Sequence, residues 1–533
     1  MEKKMTPETI WEKYQSGVRF NNGINFYKTV ETNENFFIGR QWEGVQANGL
    51  PTPTFNFLKR VVLFSVASVS TDNLKLHASP MAGESLPDYM PEIVTDIINR
   101  QFEAIFENNN MGKLIREYCR NSAVDADGAT FTYWDDATNS IKTEVIDNAQ
   151  VYFGNPNDRD EQNQPYIVIE RRMLPDDAKR LMAKYGGGDT EAIQSDRRSY
   201  QKAGDFDAKG GDKVTVLLTM WRDDETGTVW ACESTQNTMI RQPWDLGIKR
   251  YPITWMNWDY MQDCYHGQAM ITGLIPNQIF VNKLYAMSGI SLMMLAFPKI
   301  MFDRTRIKKW DNRVGGAIAV TGNIADAAKI MNPAQVSPQI SQFIDSAISY
   351  TQKFLGASDV ALGDTRPDNT SAIIALQRAA STPMELTKQN LLQSIENWGR
   401  ICLDFMAAYY GKRPVEVRNP QTKEMDTILF DFSMLQKIAM SIKLDVGASS
   451  YWSEIANMQT LDNLLMQNKI GVVEYLERVP SGMITNKEAL IEKMKQNEAA
   501  QSAAMSAVAS APPPDASGAD SPGGTNKKGG FVQ

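Results

Sequence analysis

The most apolar segment of this 533-residue chain lies in its middle, within residues 268–297. Polar residues and a proline interrupt it at Pro276, Asn277, Gln278, Asn282 and Lys283. The uninterrupted remainder, YAMSGISLMMLAF, is too short to span a bilayer, which needs about 20 apolar residues. A long apolar helix outside a membrane must cover its surface with protein, and neighbouring subunits are one solution. We therefore expect protein partners and no membrane.

Composition indicates a globular protein with an acidic surface. The chain is 42% hydrophobic and 22% charged, with a formal net charge of -8, so it can bury a large core in two or more subdomains. An acidic chain does not grip nucleic acid over its whole surface, because phosphate neutralisation needs clustered Lys and Arg. The four cysteines are far apart and form no CxxC pair, which favours buried free thiols in a reducing compartment.

The order of helical and strand-like patterns predicts an α+β fold. Residues 6–43 are predicted to be helical from Thr6 and Pro7 onward, and short strands such as TFTYWDD, IKTEVID and YIVIERRM follow further along the first half. After residue 266 the pattern changes to a helix, a short β-containing module and a second helix that begins at Ser337 and Pro338. Strands return in PVEVRN, TILFDF and MSIKLDVG.

A later helix reaches Tyr410 and carries an apolar seam with steps of four and three residues, which predicts packing against another helix. Pro383 lies inside this predicted helix, where it removes one backbone donor, so we expect a kink there. The seam consists of Leu391, Ile395, Trp398, Cys402, Phe405 and Tyr409.

Signatures of catalysis are scarce. The chain has two histidines and no GxxxxGK[ST] sequence, so neither a HExxH metal site nor a P-loop can be built, and no catalytic residue, metal or cofactor is predicted. Asp125 and Asp127 form an acidic pair of the kind that a metal-dependent nuclease needs. Aspartates beside strands more often cap turns, and His266 is expected to be structural. A nuclease around Asp125 and Asp127 remains the alternative from another functional class.

Residues 299–313, KIMFDRTRIKKWDNR, carry six basic and two acidic residues within an acidic chain. Such a run is either a docking or DNA-contacting surface or an ordinary solvated face.

In the sequence of its parts the chain resembles the portal proteins of tailed bacteriophages, which form a ring at one capsid vertex through which DNA enters and leaves. The likeness covers residues 6–497. It lies in GRQWEG after the N-terminal helix, NFLKRVV, CRNSAVDADGATFTYWDD before the strands, and the helix, module, helix, loop and kinked-helix order. The segment NKIGVVEYLERVPSGMITNKEALIEKM is similar to the helical crown of that family.

The resemblance implies a portal-type division of the chain. Residues 1–266 and 412–449 would form an α/β wing, residues 267–295 and 338–355 a two-helix stem, and residues 296–337 a small β-containing clip. The remaining parts would be a tunnel loop, a long kinked helix, a helical crown and a disordered C-terminal tail, at residues 356–370, 371–411, 450–497 and 498–533.

The resemblance also implies function and partners. The protein would be a non-enzymatic virion component at the capsid portal vertex, assembled in the host cytoplasm as a ring of about twelve copies, for genome packaging and ejection. Its partners would be double-stranded DNA in the channel, the terminase, a neck adaptor, and the major capsid or scaffold protein. The tunnel loop would contact DNA through Asp359, Asp364, Thr365, Arg366 and Asp368. The clip would dock terminase and adaptor through Arg304, Arg306, Lys308, Lys309 and Arg313.

Another virion component, such as a different head-to-tail connector, is a further alternative. Such connectors are usually much shorter chains, and the central helix, module and helix argue against one. A ring would elute near ten times the monomer mass of 59.7 kDa, whereas a nuclease would more often be a small oligomer.

Overall fold

The structure, a computed structural model, describes most of the chain and divides it into two compact units, Met1–Gly447 and Ala448–Gln533. The described residues are 5–70, 74–80, 90–197, 212–296, 299–311, 313, 317–331, 339–354, 382–418, 425–436, 438, 440–446, 451–467, 469–479, 487, 490–491 and 493–494.

Two helices form the N-terminus of the first unit. Helix α1 (Pro7–Gly23) begins as predicted, since the Thr6 side chain accepts a hydrogen bond from the Thr9 amide and proline occupies the first turn. Asn25 then adopts a left-handed conformation, with φ of 55°, and α2 (Phe26–Ile38) follows. The prediction of one helical stretch over residues 6–43 was therefore wrong. The left-handed residue turns the chain and ends one helix before the next begins.

Three more helices and the first strand follow, at α3 (Phe57–Ser70), β1 (Leu74–Pro80), α4 (Met90–Asn108) and α5 (Met111–Asp125). The predicted strand LKLHASP is confirmed, and it pairs antiparallel with a strand from the other end of the unit, β14 (Met440–Val446). This long-range pairing holds the return strands against the first half of the chain.

Two antiparallel sheets form the centre of the unit. A three-stranded sheet has the order β3–β2–β9 and a five-stranded sheet the order β4–β5–β6–β7–β8. Their strands are β2 (Asp127–Asp135), β3 (Ser140–Ile146), β4 (Val151–Phe153), β5 (Ile167–Met173), β6 (Val214–Arg222), β7 (Val229–Ser234), β8 (Met239–Asp245) and β9 (Ile253–Asn257). Every strand pairing in the described residues is antiparallel, which confirms the α+β class.

The sequence patterns missed β8, β9 and helix α6 (Pro175–Tyr185). Strand β8 is an edge strand that contains Pro243 and polar residues, a composition that masks a strand pattern. The predicted hairpin of KVTVLLTMW and GTVWACE is present as β6 and β7.

Helix α9 (Glu385–Tyr409) carries the predicted apolar seam, and its members are buried or partly buried. The seam packs against both helices and strands, so the predicted contact with a helix is confirmed, with the Phe106 ring on α4 lying 6.1 Å from that of Trp398. The Trp398 indole donates a hydrogen bond of 2.9 Å to Thr143 on β3, and Tyr409 stacks on Trp134 of β2. Gly399 lies against side chains of β1 and β14. Steps of four and three residues create one apolar stripe, and they do not specify which element covers it.

An arm, defined as residues 275–354, extends the first unit. It consists of α7 (Ile275–Ala296), the two-stranded pair of β10 (Lys299–Phe302) and β11 (Ala328–Met331), and α8 (Gln339–Phe354). The rest of the unit, called the body, also contains the hairpin of β12 (Lys412–Arg418) and β13 (Met425–Asp431). The predicted helix, β module and helix are therefore present.

Helix α7 is longer than the uninterrupted apolar run suggested. Among the described helices it is the one that is long and apolar enough to cross a membrane. Its base, however, is attached to the body through Gln278, which donates to the Phe55 carbonyl at 2.8 Å, and Asn282, which donates to Gln41 at 2.6 Å. The remaining 14 residues, 283–296, span about 21 Å, less than the roughly 30 Å of a bilayer core.

The second unit is described in two helices, α10 (Tyr451–Met466) and α11 (Val472–Arg478). The Tyr475 hydroxyl donates a 2.6 Å hydrogen bond to Asp462, and Leu476 and Val479 are buried. These helices agree with a helical segment in the predicted crown. The predicted tail, residues 498–533, lies outside the described residues.

Candidate functional site

The tip of the arm is a small β module, here called the hairpin module and defined as residues 299–331. Strands β10 and β11 pair from Lys299 with Met331 to Phe302 with Ala328. Asp303 accepts hydrogen bonds from the Thr305 amide and hydroxyl, and these lower the pKa of its carboxyl. Ile307 and Ala327 are buried, so the module has a small apolar centre of its own.

The five predicted docking residues all lie in this module, but they are not equivalent. Arg306 forms an ion pair with Asp303 at 3.4 Å. The Arg313 guanidinium binds Asp311 through two of its nitrogens, with an ion-pair distance of 2.8 Å. These contacts lower the pKa of the Asp311 carboxyl. The side chains of the other three are exposed, and these are Arg304, Lys308 and Lys309. The predicted run therefore presents fewer available cations than its composition suggests.

Sequence reasoning missed a second group of exposed residues in the module. Side chains alternate along β10, so Lys299 and Met301 lie on one face, and Lys329 is the cross-strand partner of Met301. Phe302 points to the other face, where its ring stacks on Trp310 with centroids 5.4 Å apart. The sequence signal for this group was the alternation of side chains between the two faces of the strand KIMF.

The outer half of α7 exposes large apolar side chains. Five of them are between 45 and 58% exposed, namely Met287, Leu292, Met293, Met294 and Leu295. Helix α8 adds Phe343 and Tyr350, which are also exposed, and it is joined to α7 by the Asn277 to Thr351 hydrogen bond of 3.1 Å. Exposed apolar surface of this kind is typical of an interaction surface.

The predicted tunnel-loop residues, Asp359, Asp364, Thr365, Arg366 and Asp368, lie outside the described residues. Pro383 is described, in a short 3₁₀ turn at Thr382–Met384 directly before α9. Residues 371–381 are not described, so the kink in a longer helix stays a prediction.

The acidic pair of the nuclease alternative lies at the start of β2. Asp127 is fully buried, and its carboxylate faces the His266 ring nitrogen at 2.6 Å, the Gly267 amide at 2.7 Å and the Asn257 side chain at 2.7 Å. Asn148 is a fourth donor at 3.3 Å.

The neighbours of this carboxylate are equally enclosed. His266 is 1% exposed, and its other nitrogen lies 3.1 Å from Asn21. Gly267 is required there, because a Cβ would approach the Asp259 carbonyl oxygen to 2.4 Å. Asp125 is buried 3.6 Å from Arg120. A carboxylate that is buried and satisfied by internal donors joins elements of the core, so the arrangement supports the structural interpretation.

An open cleft of about 970 Å³ lies between the two sheets of the body and contains none of the predicted site residues. Arg241 lies over the rings of Trp244 and Tyr185, 3.6 and 4.1 Å from their centroids. Burial raises the pKa of Glu233 on the cleft wall. In the described part of the chain, no group of three or more His, Cys, Asp or Glu residues is placed to hold a metal ion.

The fold is thus an antiparallel body that carries a helix, a β module and a second helix. Residues 190–428 match the family model described as Phage P22-like portal protein, which confirms the predicted resemblance to phage portal proteins. No curated protein matches the chain. The matched region contains the whole arm and helix α9. The matched region is a little under half of the chain, and over that region the match supports a relationship to phage portal proteins.

Proposed function

We propose that this protein is the ring-forming portal subunit at one vertex of the capsid, and that its ring is the channel for genome packaging and ejection. The body is the wing, α7 and α8 are the stem, and the hairpin module is the clip. The exposed apolar half of α7, within the region that matches the portal family, carries this proposal.

Burial of that apolar surface is the driving force for assembly. Covering a Leu or Met side chain stabilises a complex by about 1.5–3 kcal/mol, so five exposed side chains on one helix supply a large part of a subunit contact. A neighbour that offers the opposite side of its own helices makes a heterologous contact, and such contacts close into a ring when the rotation between subunits is suitable. About twelve copies is the number that the portal resemblance implies.

The proposed channel is acidic and binds DNA weakly. Between residues 340 and 370 the sequence has four aspartates and two cations, namely Asp345, Asp359, Asp364 and Asp368 against Lys353 and Arg366. A conduit rich in Lys and Arg would hold DNA with steep salt dependence, whereas an acidic lining lets it slide. The clip docks the terminase during filling and the neck adaptor afterwards, and the capsid or scaffold protein surrounds the wing.

The test is the mass and shape of the purified full-length protein. Native mass spectrometry should give a particle near twelve times the 59.7 kDa monomer, and negative-stain images should show a ring with a central channel. A monomer or dimer at micromolar concentration, with hydrolysis of DNA by the same preparation, would favour the nuclease alternative.

A further inference from the structure

The hairpin module differs in charge from the rest of the chain. It has seven basic and three acidic residues, a net charge of +4, while the whole chain carries -8. Two of the basic residues, Arg306 and Arg313, are paired within the module with Asp303 and Asp311. The module's other five cations, Lys299, Arg304, Lys308, Lys309 and Lys329, form no ion pair with a described residue.

Two of these cations flank an exposed apolar side chain. Lys299 lies two residues before Met301 on the same face of β10, and Lys329 lies directly opposite Met301 on β11. Directly opposed side chains of an antiparallel pair have Cβ atoms about 5 Å apart, so the methionine and the two ammonium groups form one surface. Met301 is 52% exposed.

The occupant of this surface can be identified by its chemistry. A second copy of the module carries the same +4 charge, and like charges placed together oppose association. Duplex DNA offers phosphates to the lysines but gives Met301 nothing to bind, because phosphate contacts use polar and charged groups. An acidic polypeptide with apolar side chains can pair its carboxylates with the two lysines and pack an apolar side chain on Met301.

We propose that the Lys299, Met301 and Lys329 face is a docking site for an acidic segment of another protein, with an apolar side chain of that segment packed on Met301. The proposal deepens the clip assignment and rests on the proposed portal function. Arg306 and Arg313 then hold the fold of the module, while the unpaired lysines and arginine speed and orient encounter.

The test uses the full-length protein and a fluorescent synthetic peptide of alternating Glu and Leu as the probe. Anisotropy titrations compare the unchanged protein with Met301→Ser and with the double variant Lys299→Glu and Lys329→Glu. Each should weaken peptide binding about tenfold or more, since loss of a central apolar contact or reversal of two charges removes much of a small interface. Lys113→Glu, an exposed charge reversal on α5, is the matched control and should leave binding unchanged.

Two further probes identify the kind of partner. A peptide in which Ser replaces Leu should bind at least about tenfold more weakly than the Glu and Leu peptide. Short duplex DNA should show no dependence on Met301. Tighter binding of DNA than of the Glu and Leu peptide at physiological salt would overturn the proposal, as would peptide affinity that is equal in all variants.

Native mass spectra of the same samples separate this proposal from the ring assignment. If rings form normally but the two face variants bind the peptide as tightly as the unchanged protein, the docking site is contradicted and the ring assignment is not. Peptide binding that depends on Met301 and the lysines in a protein that makes no ring contradicts the proposed ring and leaves the docking site supported.

Discussion

The body and the arm differ in which side chains they bury and which they expose to solvent. In the body, even charged groups are enclosed and paired, as with Asp127 and His266, or with Glu170, whose carboxylate accepts hydrogen bonds from Tyr14 and Tyr152. In the described part of the arm, the buried polar side chains are Gln278 and Asn282 at the base of α7 and Thr351 on α8, whereas the outer apolar side chains of α7 face solvent. We infer from this contrast that the body folds on its own contacts, whereas the arm needs the surfaces that other chains supply in the proposed ring.

Removal of the Asp127 carboxylate should have the largest effect on folding. Asp127→Ala leaves a buried histidine and three other donors without their acceptor, so we expect the free energy of unfolding to fall by about 3–5 kcal/mol. Urea titration monitored by tryptophan fluorescence measures this loss.

Asp136→Ala is the matched control, because Asp136 is exposed and its replacement should change stability by no more than about 0.5 kcal/mol. If Asp127→Ala keeps full stability but removes a DNA-hydrolysing activity, the structural interpretation of this cluster is wrong.

A second buried carboxyl should make the stability of the body depend on pH. Burial raises the pKa of Glu161 from 4.5 to about 8. The folded state therefore keeps this proton at pH values where the unfolded chain has lost it. The stabilisation is complete below pH 4.5 and is lost as pH rises through about 8.

Glu161→Gln mimics the neutral carboxyl at every pH. The variant should match the unchanged protein at about pH 4 and exceed its unfolding free energy by about 2–4 kcal/mol at about pH 9, because one pKa unit corresponds to about 1.4 kcal/mol. Exposed Glu117→Gln is the control and should leave the pH profile unchanged. Denaturant titrations across this pH range measure the unfolding free energy of both proteins. Parallel pH profiles for the unchanged protein and Glu161→Gln would show that Glu161 does not cause the pH dependence.

A small gain in unfolding free energy is expected from a substitution of Ala126, the residue between Asp125 and Asp127. Ala126 has φ of 83° and ψ of -38°, a strained conformation for a residue with a Cβ, and it turns the chain from α5 into β2. Ala126→Gly should relieve this strain and raise the unfolding free energy by about 1 kcal/mol. Ala123→Gly, inside α5, is the contrasting variant and should lower it by a similar amount. Equal destabilisation by both glycines would show that the turn stores no strain.

What the sequence predicted and what it missed follow from the range of the interactions. The start of α1, the β6 and β7 hairpin and the order of the arm were predictable, because caps, alternation and periodicity act between residues close in the chain. The pairing of β1 with β14 and the contact of Asp127 with His266 join residues more than 100 positions apart, and no local pattern encodes them. The docking residues were predicted by charge alone, so the internal pairing of Arg306 and Arg313 and the role of Met301 were not anticipated.

Substitutions in the arm should change the folding of the subunit least and its assembly most. Leu292 and Leu295 are 58 and 55% exposed, so replacing both with Ser removes little core packing, and the unfolding free energy of the monomer at high dilution should change by less than about 0.5 kcal/mol. In the proposed ring the same two side chains are buried against a neighbour, and their loss should cost each contact about 2–4 kcal/mol, enough to shift native mass spectra from ring to monomer. Leu386→Ser is the matched control, since Leu386 is an exposed leucine on α9 in the body and should affect neither quantity. Rings that persist in the double variant would show that the outer half of α7 is not the subunit contact. A large loss of monomer stability would show instead that the arm, like the body, packs within its own chain.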